Sequence, residues 1–109
     1  MNNSERFAEI ATELTDMYNR KNADYGDSFT EGIRDFGLVS AATRIADKYR
    51  RAINLIRTDT VQVKDERLED TLLDLASYSI MTVMYLRAMR TEPYDTTYVT
   101  AYEPSETAR

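Results

Sequence analysis

Apolar residues recur at spacings of three and four along three stretches of this chain, and that period predicts three α-helices. The first starts at Asn3 or Ser4, both suited to cap a helix N-terminus, and runs to about Asn22. Phe7, Ile10, Ala11, Leu14, Met17 and Tyr18 form its apolar face, with Glu9, Glu13 and Asp16 off the stripe. The second, from Leu38 to about Arg57, gathers Leu38, Ala41, Ala42, Ile45, Tyr49, Ala52, Ile53 and Ile56 on one side. Its opposite side carries Arg44, Asp47, Lys48 and Arg51. The third begins near Asp65 and continues to about Arg90. Leu68, Leu72, Leu73, Leu75, Ala76, Ile80, Val83 and Leu86 cover roughly half its circumference. So wide an arc suits a central helix packed by two neighbours, or a helix at a subunit interface. The predicted fold is all-α, a small bundle of three main helices completed by oligomerisation.

Between the first two helices, residues 22–37 hold all three glycines, at 26, 32 and 37. The stretch reads as a turn-rich connection with a short helical turn at its centre, which either only connects or also lines a site. Thr58–Lys64, rich in Thr and Val, reads as a loop or a short extended piece. From Thr91 the chain changes character, with Pro93, Pro104 and tyrosines at 94, 98 and 102. The expected organisation is one helical domain over residues 1–90 and an irregular tail over 91–109. The tyrosine spacing also allows an arm that packs on another subunit.

Composition narrows the chemistry. The 109 residues fit one domain with a lean core, which association would supplement. Without cysteine or histidine there is no disulfide, thiolate nucleophile, zinc-thiolate site or imidazole base. Any metal would be a hard cation on oxygen ligands, which means magnesium, manganese or calcium. A net charge of −5 argues against nucleic-acid polymers and anionic membranes as partners. The longest apolar stretch, around Ile80–Met84, is too short to span a bilayer, and the N-terminal residues lack an apolar signal region. The expected location is therefore the cytoplasm, including that of a phage-infected bacterium.

Within that frame the third helix opens on Glu66, Asp70 and Asp74, each four residues after the last and hence along one flank. Like charges at this spacing repel, so the helix itself gains nothing from them. Asp74 interrupts an apolar run and needs a cation or hydrogen-bond donors, for which Tyr78 one turn on is a candidate. Two arrangements satisfy the stripe. One is a salt-bridge seam with Arg44, Lys48 and Arg51. The other is a divalent cation on the carboxylates, with the basic residues facing the phosphates of a nucleotide. The segment Lys21-Asn-Ala-Asp-Tyr-Gly-Asp27 adds a cation, an amide, two carboxylates and a ring beside a glycine. There Tyr25 can offer a flat face to a base. The same segment also reads as a solvated helix C-terminus, with Arg20 and Lys21 complementing the dipole.

Taken together, Lys21-Asn-Ala-Asp-Tyr-Gly-Asp-Ser-Phe29, Arg44-Ile-Ala-Asp-Lys-Tyr-Arg-Arg51 and Val63-Lys-Asp-Glu-Arg-Leu-Glu-Asp-Thr-Leu-Leu-Asp-Leu-Ala-Ser-Tyr78 resemble the small helical family of nucleotide-modification-associated domains of phages and bacteria. The acidic helix is also similar to that of MazG-like, all-α nucleoside triphosphate pyrophosphohydrolases. Those enzymes hold magnesium on carboxylates of two helices, split a nucleotide between its α- and β-phosphates, and work as dimers or tetramers. The resemblance implies Asp70, Asp74 and Glu66 as catalytic residues, with Asp47, Glu66, Asp70 and Asp74 holding magnesium or manganese. It further implies Lys21, Asp24, Tyr25, Arg44, Lys48, Arg51 and Tyr78 around the nucleotide. The chain departs from that pattern in two places. Thr71 stands three before Asp74 where a glutamate is expected, and Asp47 is followed by Lys48, Arg50 and Arg51 rather than by a second carboxylate. Either the metal site is rebuilt, or catalysis is lost and a non-catalytic nucleotide-binding, signal-sequestering phage protein remains. A third reading is a plain interaction module with a salt-bridge seam and a tyrosine-rich arm. The expected partners are a nucleotide and further copies of the chain.

Overall fold

The computed structural model describes residues 1–25, 27–58 and 66–90, and for residues 23–25 and 66 only the backbone. Four helices and no strand occur among them: α1 (Asn3–Tyr25), α2 (Ser28–Phe36), α3 (Val39–Arg57) and α4 (Glu66–Arg90). The fold is all-α, as the periodicity predicts. Most of the expected Thr58–Lys64 loop and the whole tail 91–109 lie outside the described residues.

The N-cap of α1 is Asn2 rather than Asn3 or Ser4. Its side-chain oxygen accepts the Glu5 backbone N–H at 2.8 Å, and the Glu5 carboxylate accepts the Asn2 N–H at 3.3 Å. This reciprocal box satisfies two otherwise unpaired donors. The larger departure is α2, where the sequence suggests only a helical turn. Asp27 caps it by accepting the Thr30 N–H at 3.3 Å. Phe29 and Ile33, one turn apart, are then carried into the core. Gly37 ends α2 at φ 83°, a conformation that L side chains resist, and its N–H donates to the Ile33 carbonyl at 2.7 Å. That reversal sets α2 against α3. Within α2, a Cβ on Gly32 would stand 2.9 Å from the Ser40 hydroxyl, so the missing side chain lets α2 approach α3 closely.

Phe29, Ile33, Leu38 and Ala41 form the buried centre, and Tyr78, Met81, Tyr85 and Leu86 of α4 pack against it. Lys48 meets Asp74 and Arg44 meets Tyr78, so α3 and α4 run antiparallel. Lys21 meets Asp74 while Ala11 and Leu14 share a groove with Ile80 and Met84, so α1 is antiparallel to α4 as well.

The apolar stripes are not all covered. Phe7 and Ile10 on α1, Tyr49 and Ile56 on α3, and Leu72, Ile80 and Val83 on α4 are exposed. Within the described residues α2 and α3 cover one side of α4, α1 lies along a flank, and Leu72, Ile80 and Val83 on the remaining side stay exposed.

Candidate functional site

A cleft of about 290 Å³ opens where the C-terminal part of α1, the start of α2, α3 and the middle of α4 meet. From α1 come Met17, Tyr18, Lys21 and Asn22, and from the turn into α2 come Asp27, Ser28 and Phe29. Across from them stand Arg44 of α3 and Asp74, Ser77, Tyr78 and Met81 of α4.

Asp74 is the electrostatic centre. One carboxylate oxygen accepts from Lys21 Nζ at 3.2 Å and the other from Lys48 Nζ at 3.0 Å. The partial burial of the carboxylate, which by itself raises its pKa, is the largest single influence. The hydrogen bonds and charges of Lys48 and Lys21 together outweigh it and hold Asp74 below its ordinary 3.8. A depressed carboxylate contributes stability that is present above its unfolded pKa and lost as the pH falls through its folded one. We therefore expect the melting-temperature difference between the wild type and Asp74→Asn to stay constant above about pH 5. It should shrink only as the pH drops below 3.8. A thermal-melt series from neutral pH into acid checks this, and a gap that closes near neutrality would contradict it.

Beside this carboxylate the cleft has an aromatic wall. Phe29 and Tyr78 stack with ring centroids 5.9 Å apart and planes 9° from parallel. The Arg44 guanidinium carbon lies 5.7 Å from the Phe29 centroid and 5.9 Å from that of Tyr78. Cation–π attraction to two rings holds Arg44 in place, and among the described residues no carboxylate pairs with its guanidinium. The arrangement thus offers cations, flat apolar surface and the hydroxyls of Ser28 and Ser77 within one concavity.

Of the residues predicted from sequence, Lys21, Arg44, Asp74 and Tyr78 line this cleft, and Lys48 joins them through its ion pair with Asp74. Tyr78 stacks on Phe29, and the recorded donors to Asp74 are the two lysines. Arg51 and Asp47 instead line a shallow depression with Arg50, Asn54, Leu55 and Arg67. There Asp47 pairs with Arg50 at 3.6 Å. Asp70 is exposed, and the side chains of Asp24, Tyr25 and Glu66 lie outside the described residues. Among the described residues no three of His, Cys, Asp and Glu group to hold a metal ion. Asp74 pairs with two ammonium groups and Asp47 with Arg50, so these two carboxylates lie at separate places on the surface. The contributions of Phe29, Ser77 and Met81 were not legible in the sequence, where Phe29 sits in an apparent connection and the other two look like ordinary helix positions.

Fold and cleft define a small all-α domain with a concave site that joins cations to an aromatic wall. Residues 21–86, more than half of the chain, match the family described as nucleotide modification associated domain 1, and the chain belongs to it. The match takes in all five converging residues. No curated protein and no solved structure matches the chain significantly. None of the described helices is long and apolar enough to cross a membrane.

Proposed function

We propose that the cleft binds a single nucleotide, with its phosphates at Lys21, Arg44 and Lys48 and its base against the ring surface beside Phe29, Tyr78 and Tyr18. The observation that carries this reading is a partly buried carboxylate held by two lysines, from α1 and α3, beside stacked rings over which Arg44 lies. The family's association with nucleotide modification supports it. About 290 Å³ lies near the lower end of ligand-pocket volumes, roughly 300–1,000 Å³, which suits a mononucleotide and not a polymer. In this reading Asp74 keeps Lys21 and Lys48 together, one on each carboxylate oxygen.

Magnesium-dependent splitting of a nucleoside triphosphate is the second reading. What favours it is the four-residue spacing of Glu66, Asp70 and Asp74 along α4. Asp74→Asn separates the two. Under the binding reading, removing the negative charge frees Lys21 and Lys48, and mononucleotide affinity in magnesium-free buffer rises about three- to tenfold. Under the hydrolase reading, binding requires magnesium, releases pyrophosphate from triphosphates, and disappears in Asp74→Asn. Isothermal titration of nucleoside mono-, di- and triphosphates, with and without magnesium, measures both. Absence of binding to every nucleotide at millimolar concentration would remove the proposal.

A further inference from the structure

The open side of α4 carries a pattern that is palindromic about position 78. Leu73, Ala76, Ile80 and Val83 follow one another at steps of three and four, which draws a narrow apolar seam along the helix. Leu72 and Met84 flank it, and Glu69 and Arg87 close its two ends at the same periodicity. Leu72 is 46% exposed, Ile80 49%, Val83 44% and Met84 47%, unusual for four large apolar side chains on one helix. Among the described residues neither Glu69 nor Arg87 makes an ion pair, and both are exposed. Beside the seam runs an apolar groove of about 250 Å³ between α1 and α4, to which Leu14, Ile80 and Met84 contribute.

We infer that this face binds a second copy of the chain, α4 against α4, antiparallel, with the two-fold axis passing level with Tyr78. In that register Leu73 opposes Val83 of the other copy, Ala76 opposes Ile80, and Leu72 opposes Met84. Each end then sets Glu69 of one copy against Arg87 of the other, twice per dimer. The charge pattern selects both occupant and direction. A two-fold interface presents the same patch to itself, so it needs a patch complementary to its own reverse, and this one is. A parallel pairing would set Glu69 on Glu69 and Arg87 on Arg87, and both contacts repel. Pairing also accounts for the wide apolar arc of α4, since α2 and α3 cover one side, α1 a flank, and the second copy the rest. The cleft with Asp74 opens on the flank of α4 between these two faces, so the inference does not depend on nucleotide binding.

Sedimentation of the full chain at tens of micromolar tests it. The wild type should sediment as a dimer, and Val83→Glu should weaken association about 100-fold, because an unpaired carboxylate would enter the seam. Glu69→Arg and Arg87→Glu should each weaken it about tenfold, and their equimolar mixture should recover wild-type association within about threefold. The chain has no native cysteine, so a Leu73→Cys variant mixed with a Val83→Cys variant reports direction: oxidation should join the two variants and leave each alone uncrosslinked. Circular dichroism confirms that every variant keeps its helices. A wild-type monomer at millimolar concentration, a dimer indifferent to Val83→Glu, or Leu73→Cys crosslinking to itself would each overturn the inference.

Discussion

Arg44→Ala should weaken nucleotide binding about 100-fold while leaving the helices intact. Hydrogen bonds from a charged donor to a phosphate contribute about 1.5–3 kcal/mol, and the planar guanidinium can give two at once. Arg44 is also the cation lying over both Phe29 and Tyr78, so its removal takes away the contact that holds the aromatic wall next to the charged end of the cleft. A total near 3 kcal/mol corresponds to about two decades in affinity. Arg44→Lys keeps the charge but not the fork or the stacking plane, and should recover only about a tenth of the lost affinity. Arg50→Ala is the control, because its exposed pair with Asp47 lies away from the cleft and it should bind as the wild type does. Titration calorimetry on the three variants measures these differences. A dissociation constant for Arg44→Ala within threefold of wild type would take Arg44 out of the site.

Ile33→Ala should lower stability by about 3–4 kcal/mol, in the middle of the range for emptying a buried aliphatic position. Ile33 is 2% exposed and sits at the centre of a small cluster with Phe29, Leu38 and Ala41. Its loss leaves a void bounded by α2, α3 and α4, and all three are held partly by this contact. For a domain of about this size, each kcal/mol moves the melting temperature by roughly 4–8 °C, so a drop of about 12–32 °C is expected. Small domains have a total stability of only about 5–15 kcal/mol, so the melt of the variant is started at low temperature. Ile56→Ala provides the contrast. Ile56 is 58% exposed, and its replacement should change stability by less than about 0.5 kcal/mol. Thermal melts followed by circular dichroism compare the two, and equal shifts would contradict the assignment of the core to the α2 corner.

Most of the fold was legible because α1, α3 and α4 are long enough for a 3.6-residue period to repeat several times. Helix α2 was not, because nine residues offer only Phe29, Ile33 and Phe36 as periodic apolar positions, and Gly32 and Gly37 made the stretch look like a connection. Burial was read less well than helicity. A stripe such as Phe7, Ile10 and Leu14 says which residues share a face, not whether a neighbour covers it. In the described chain Phe7 is 78% exposed. For the site, the charged pattern pointed to Asp74 with Arg44, Lys48 and Arg51 as its partners, since a carboxylate within an apolar run has to find cations. It did not reveal that Lys21 would be the second partner beside Lys48, nor that Tyr78 would stack with Phe29.

The sequence by itself determined the helical class, the approximate limits of three helices, the absence of thiol and imidazole chemistry, and the demand of Asp74 for positive charge. These follow from local period and composition, which need no knowledge of neighbours. Only the tertiary structure decided that α1 and α3 both run antiparallel to α4. That direction brings Lys21 and Lys48, 27 positions apart in the chain, to opposite oxygens of one carboxylate. The turn at Gly37 decided that Phe29 would reach the same place and stack beneath Arg44. Such a cleft is made of residues whose separation in sequence carries no period, and only the packing of one helix on another brings them together.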